Sequence, residues 1–270
     1  MTRKRLGLVA SVGLVTLLCV PSRASAQTAP SLGSAQSFAV LGGSTVTNTG
    51  SSVVTGDLGV SPGSAVIGFP PGVVVSGTIH AADAAALAAQ NSVTTAYNSL
   101  ASQACTLDLS GTDLGGLTLI PGVYCFSTSA QLTGTLTLNA QGNAGAVFIF
   151  KTGSTLTTAS SSSVVLINGG SACNVFWQVG SSATLGTTST VRGNILALTS
   201  ITATTGALTG RALARNGAVT LDGNAVNTST CASGPLPPAP VPTLSEWAFI
   251  MLAVLLAAVG VVALRRRTSA

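Results

Sequence analysis

Four short segments in the C-terminal half of the chain read Thr-x-Thr or close to it: Thr155-Leu-Thr157, Thr184-Leu-Gly186, Thr202-Ala-Thr204 and Thr220-Leu-Asp222. The chemistry they offer is recognition and not bond-making. A threonine hydroxyl both donates and accepts hydrogen bonds, and the methyl beside it is apolar. Thr184, Thr202 and Thr220 fall at even steps of 18 residues. Alternate side chains of a strand point to opposite faces, so each segment is expected to bury its middle residue and present the flanking threonines to water. A repeat of about 18 residues is close to one turn of a β-solenoid, whose coils stack ~4.8 Å apart and align equivalent residues into columns. The expected product is a flat, uncharged ladder of hydroxyls and methyls.

Residues suited to catalysis are scarce. The domain between the two ends holds five acidic residues, Asp57, Asp83, Asp108, Asp113 and Asp222, with no evident pair for hydrolysis. Asp57 stands in a Gly-rich turn, where capping its own backbone is the expected role. His80 is the only histidine. It lies at the entrance of a helical segment without a Ser or Cys nucleophile motif, which points to a structural hydrogen bond. No GxxxxGK[ST] loop, no CxxC and no second histidine occurs, so neither a phosphate loop nor a metal site is expected. The reading is a non-enzymatic chain without a cofactor.

The formal charge of +5 resides mostly in the ends. Arg3, Lys4, Arg5 and Arg23 lie at one end and Arg265, Arg266 and Arg267 at the other, leaving Lys151, Arg192, Arg211 and Arg215 against the five aspartates. A nearly neutral domain gives no basis for nucleic-acid binding. Residues 1–26 combine a basic start, the apolar run Leu6 to Val20 and Ala24-Ser25-Ala26, the pattern of a signal peptide removed by signal peptidase before Gln27. Residues 232–242 are Pro-rich and read as an extended linker. In 243–270, an apolar run of 17 residues from Ala248 to Leu264 lies between Trp247 and the arginine cluster, as in a short membrane-spanning helix. Val241-Pro-Thr-Leu-Ser-Glu-Trp247 with that helix and cluster resembles the IPTL-type C-terminal sorting signals of Gram-negative bacteria, with Val for the first Ile. The resemblance implies a membrane tether handled by an exosortase-like transpeptidase. Both ends place the domain outside the cytoplasm, secreted or at the cell surface.

Residues 27–231 are expected to form the folded domain. Its four cysteines, Cys105, Cys125, Cys173 and Cys231, allow three pairings; Cys105 with Cys125 and Cys173 with Cys231 is preferred. Three kinds of strand alternate in rotation. One is continuously apolar, as in Val147-Phe-Ile-Phe150, Val175-Phe-Trp177 and Ile195-Leu-Ala-Leu198, implying cover on both sides. The second is the Thr-x-Thr series. The third closes each coil, as in Val164-Val-Leu-Ile167, Thr190-Val-Arg192 and Ala207-Leu-Thr209. Gly153, Gly180, Gly193, Gly210 and Gly217 fall near the corners, where positive φ is often needed. Phe38-Ala-Val-Leu41, Thr45-Val-Thr47 and Val53-Val54 give the rotation once more near the N-terminus. Residues 81–104 carry Ala89, Val93, Ala96, Tyr97, Leu100 and Ala104 at helical spacing, so one long helix is expected to cover the doubly apolar strands and leave the threonine side open.

Gly56-Asp-Leu-Gly-Val-Ser-Pro-Gly63, Gly77-Thr-Ile-His-Ala-Ala-Asp83, Pro121-Gly-Val-Tyr-Cys-Phe126, Gly145-Ala-Val-Phe-Ile-Phe150, Asn174-Val-Phe-Trp-Gln178, Gly193-Asn-Ile-Leu-Ala197 and Gly210-Arg-Ala-Leu-Ala-Arg-Asn-Gly-Ala-Val-Thr-Leu221 resemble the microbial ice-binding-like family, from roughly Leu32 to Asn227. The resemblance implies a mainly β fold: a right-handed, three-sided β-solenoid with one long α-helix alongside. It also implies that the N-terminal coil can sit beside the C-terminal one. The implied partner is the surface of an ice crystal. The candidate contact residues are Thr155, Thr157, Thr184, Thr202, Thr204 and Thr220, with Thr45 and Thr47 as extensions and with Gly186 and Asp222 interrupting the second column. The alternative is a cell-surface adhesin or matrix protein that binds polysaccharide. Sugar platforms need exposed aromatics, whereas Trp177 falls in a covered strand, Tyr97 on the helix stripe and Trp247 in the tail.

Overall fold

The computed structural model describes residues 27–231. The expected signal peptide, linker and membrane helix lie outside the described residues. Among the described residues no helix is long and apolar enough to cross a membrane.

Every strand pairing is parallel, and the strands sort onto three faces of a β-solenoid. The covered face stacks Gly122–Phe126, Phe148–Thr152 and Val175–Val179 in register, then the later part of Ser189–Ala197 and of Ile201–Ala214. Its inward residues form an aromatic pile. The Phe150 and Trp177 rings stack with centroids 4.1 Å apart and Tyr124 follows at 5.4 Å from Phe150. Trp177 donates its indole N–H to the Arg192 carbonyl at 3.0 Å, so this large core side chain leaves no polar atom unpaired.

Outward residues of the same face, among them Leu41, Ile149, Phe176, Leu196 and Leu213, are also buried, because the helix Ala84–Ser102 lies on them. Its buried stripe is Ala86, Ala89, Gln90, Val93, Ala96, Tyr97 and Leu100. Small alanines let the helix approach closely, while Gln90 Nε2 reaches the Ala214 carbonyl at 2.9 Å and the Tyr97 hydroxyl the Val179 carbonyl at 3.2 Å. The helix begins three residues later and ends two earlier than the pattern suggests. Asp83 is its N-cap, accepting from the Ala86 N–H at 2.8 Å, and so sets the start. At the far end a disulfide joins Cys105 to Cys125 on the covered face. Cys173 and Cys231 are each disulfide-bonded as well.

The coils do not stack in chain order. Val40 pairs with Ala212, Val46 with Val219 and Val53 with Ala225, so the first coil rests on the last. The coil Asp57–Ala81 continues outward from it. The helix, about 28 Å long at 1.5 Å per residue, then carries the chain back along the stack. It re-enters at Leu107–Asp108 and winds home. Arg211 secures this join: its guanidinium donates to the Gln36 carbonyl and to Asn194 Oδ1 at 2.8 Å. Burial lowers its pKa to about 10, still well above neutrality.

Two of the five corner glycines named above, Gly193 and Gly210, have positive φ, at 117° and 142°. Gly153 and Gly180 serve a different need. A Cβ on Gly180 meets the Gly153 carbonyl, and one on Gly153 meets the Ser127 carbonyl, so successive corners stack too closely for a side chain.

Candidate functional site

The face next to the covered one carries all eight threonines of the sequence reading, arranged in three columns. The central column is set by direct pairing: Gln131, Thr157, Thr184, Thr202, Thr220, Thr47 and Ile67 follow one another on seven successive rungs. Thr157 and Thr184 are exposed and Thr202, Thr220 and Thr47 half-buried. The residues between them on each strand, such as Leu156, Leu185 and Leu221, fill the core. Thr47 donates its hydroxyl to that of Thr220 at 3.2 Å, across the join between first and last coil.

The register bears out the even steps of Thr184, Thr202 and Thr220 but not the alignment of Thr155 with them. Thr184 pairs with Thr157 and not with Thr155, because the coil before it is 27 residues long where the later ones are 18. Thr155 and Thr45 belong to a second column beside the covered face, with Ser129, Ser182, Ser200 and Ala218. Hydroxyls there are partly committed to bracing neighbouring coils. Thr155 donates to Ser129 at 2.8 Å, Ser182 accepts from the Ser200 N–H at 3.3 Å, and Ser200 accepts from the Ala218 N–H at 3.2 Å. Thr204 stands in the third column, paired with Asp222. Asp222 brings an ionisable side chain to this face, and Asp113, exposed and bridged to Gln131 at the end of the central column, brings a second.

A further set of hydroxyls was missed by the strand pattern. At the corner beyond the third column, Ser161, Thr188 and Thr205 occupy equivalent places on successive coils, with φ of 58°, 58° and 40°. Their backbones connect in sequence, Ser161 N–H to the Thr187 carbonyl and Thr188 N–H to the Thr205 carbonyl. The Ser161 and Thr188 hydroxyls lie 2.9 Å apart, and the Thr205 hydroxyl donates to the Asp222 carbonyl at 3.2 Å. All three side chains are exposed. Left-handed backbone is ordinarily left to Gly, as at Gly134 and Gly223 in this structure, and holding a β-branched residue there costs about 1–3 kcal/mol. A sequence signal exists only in retrospect: a hydroxyl residue recurs at this corner on three successive coils, with Gly223 in its place on the next.

His80 stays apart from this face. Its Nδ1 lies 2.7 Å from Asp83 Oδ2 and its Nε2 2.9 Å from the Thr78 hydroxyl and 3.9 Å from Asp57. Asp83 already caps the helix, and the imidazole packs against Phe38 at 5.3 Å. Three partners drawn from residues 57–83 fit a latch between helix entrance and sheet. Asp57 accepts from the Thr78 N–H at 3.0 Å, a bond to the next coil and not to its own turn.

Parallel coils under one helix, with a flat face of hydroxyls and methyls in register, define a solenoid built to meet an extended surface rather than to enclose a small molecule. The ice-binding-like family model matches residues 40–227, and the chain belongs to that family. It is 57% identical over 233 residues to an ice-binding protein of Nostoc sp. (strain HG1), covering 86% of each chain. The crystal structure of an ice-binding protein from the Antarctic ascomycete Antarctomyces psychrotrophicus superposes with a TM-score of 0.72 at 42% identity, over 75% of this chain and 99% of that one. An ice-binding protein from an Antarctic biological consortium superposes with a TM-score of 0.72 at 48% identity, over 76% and 94%. The IPTL-CTERM motif matches residues 239–267, outside the described residues.

Proposed function

We propose that this chain binds ice through the threonine face, without chemical turnover. The observation that carries the proposal is the central column, whose five threonines run without a gap through Thr157, Thr184, Thr202, Thr220 and Thr47. Ice presents a repeating array of water oxygens, so adsorption sums many weak matches. A hydroxyl supplies a hydrogen bond to ordered water. Its methyl lies against water without binding it tightly, as a charged group does not. Parallel strands on a solid core hold the rungs ~4.8 Å apart before contact, so little ordering cost is left for the binding step. Family membership supports the same reading.

The tail and the N-terminal segment add a location. The IPTL-CTERM match supports export to the cell surface or beyond. The proposal includes removal of residues 1–26 by signal peptidase and a tether formed by residues 248–264 until an exosortase-like enzyme processes the tail.

The test is to grow single ice crystals in the purified protein. Faceted crystals and a gap between melting and freezing temperatures are expected. Round crystals growing freely just below the melting point overturn the proposal.

A further inference from the structure

The third face of the solenoid, turned away from the helix and from the threonine face, is ruled as well. Ser163, Thr190, Ala207, Ala225, Val53 and Val73 pair in succession down its length. Thr190, Ala225, Val53 and Val73 are exposed. We propose that this face is a second ice-contact surface, so that the protein meets the crystal along two faces joined at the corner of Ser161, Thr188 and Thr205. The inference rests on the reading of the threonine face given above.

Continuity is the first argument. The strand Ile201–Ala214 passes from the threonine face through the third face, and its pairing with Val219–Asn227 keeps register on both sides of the corner, Thr202 to Thr220 and Ala207 to Ala225. One rung spacing therefore governs both faces, and whatever lattice matches the first meets the same period on the second. The corner between them is itself hydroxyl-bearing and exposed.

Chemistry decides the occupant. The column named above offers only hydroxyls and methyls. Along all the strands of this face Arg192 is the one ionisable side chain, and no aromatic residue occurs. Protein interfaces are anchored by Trp, Tyr and Arg seated in pockets, and sugar platforms by exposed aromatic rings. A surface of hydroxyls and aliphatic side chains with a fixed period, Val53, Val73, Val75, Val165 and Ile167 exposed on it and Arg192 its one charge, suits a water lattice instead.

The experiment labels the full-length protein fluorescently and lets it adsorb to a single-crystal ice hemisphere, comparing wild type with Ala225→Tyr, Thr190→Lys and Thr202→Tyr, each checked by circular dichroism. Two sets of illuminated planes are expected for wild type. Ala225→Tyr and Thr190→Lys should lose one set and Thr202→Tyr the other. Thr190→Lys adds an exposed charge without a bulky ring, so it keeps the test open if Ala225→Tyr disturbs the fold. Folded third-face variants that illuminate the same planes as wild type overturn the second surface. So does a change in oligomeric state with planes unaltered, which makes the face a protein contact. Thr202→Tyr without effect on any plane sinks the threonine-face reading instead, a distinct outcome.

Discussion

The hydroxyls of Thr47 and Thr220 lie 3.2 Å apart although 173 residues separate them in the chain. That contact bridges the join between first and last coil, so the central column forms only when the N-terminal coil docks. Replacing Thr47 by Tyr puts a bulky ring on a half-buried rung, the last threonine of the column, and leaves the core residue Val46 in place. The freezing gap should fall several-fold, with the thermal midpoint within a few degrees of wild type. An unchanged gap removes Thr47 from the contact surface.

Thr184 and Leu185 are neighbours with opposite surroundings: Thr184 is exposed, whereas Leu185 is 4% exposed and packs in the core. Thr184→Tyr should abolish ice shaping and spare the fold. Leu185→Tyr forces extra volume and a hydroxyl into a closed interior, at about 1–3 kcal/mol or more, so its melting midpoint should drop. Thermal melts beside freezing-gap measurements on the two variants check the pair. Equal loss of stability in both contradicts the assigned directions.

Much of this arrangement is legible in the residues. Continuously apolar runs such as Val175-Phe-Trp177 mark strands covered on both sides, and the stripe from Ala89 to Leu100 marks the helix that covers them. Alternation assigns Leu156, Leu185 and Leu221 to the core. Register is less legible, because the pattern says which residues share a face and not which stand opposite. A 27-residue coil shifts Thr155 out of line with Thr184 and puts Thr157 there. The hydroxyl corner escapes for another reason. Positive φ is read from glycine, and here Ser161, Thr188 and Thr205 adopt it.

Asp222 pairs with Thr204 in the third column and is a carboxylate among the threonine rungs, whereas Asp113 lies at the end of the ladder beside Gln131. An ionised carboxylate holds its own hydration shell and resists the arrangement that ice imposes. Asp222→Thr extends the column with a hydroxyl and a methyl and removes that shell, so the freezing gap should widen, by roughly the gain of one more matched site. The main-chain bond from the Asp222 N–H to Asn224 Oδ1 is kept. A gap that narrows in a folded variant shows that the carboxylate assists adsorption.

Acid should loosen the fold through its capping aspartates. The Ala86 N–H first, and then His80, hold Asp83 below the ordinary value of 3.8. The Ser110 side chain and N–H do the same for Asp108. For Asp113, burial pulls upward but the Gly115 and Thr133 N–H groups and the Thr133 side chain outweigh it. Each carboxyl is thus a stronger acid folded than unfolded, so the unfolded chain takes up protons first as pH falls. The stabilisation is complete above the unfolded pKa and is lost as pH drops through the lower folded values. A melting midpoint flat from pH 7 to about 5 and declining below about 4 is expected. Removing Asp83 as Asp83→Asn should shrink that acid-side decline.

The corner hydroxyls set stability against binding. Thr205 is a β-branched residue at φ 40°, a conformation that costs about 1–3 kcal/mol relative to an unstrained one. Glycine adopts it freely, as Gly223 does at the same corner one coil away, with φ 66°. Thr205→Gly relieves that strain and loses one exposed hydrogen bond to the Asp222 carbonyl, worth about 0.5–1.5 kcal/mol. Greater freedom of glycine in the unfolded chain offsets part of the remainder. The melting midpoint should therefore hold or rise by a few degrees. If the strained hydroxyls extend the ice-contact surface, the freezing gap should shrink in the same variant. Calorimetry and freezing-gap measurement on Thr205→Gly, with Thr188→Gly as a second rung, separate the two effects. A melting midpoint that falls while ice shaping stays intact makes the corner a structural brace and removes it from the binding face.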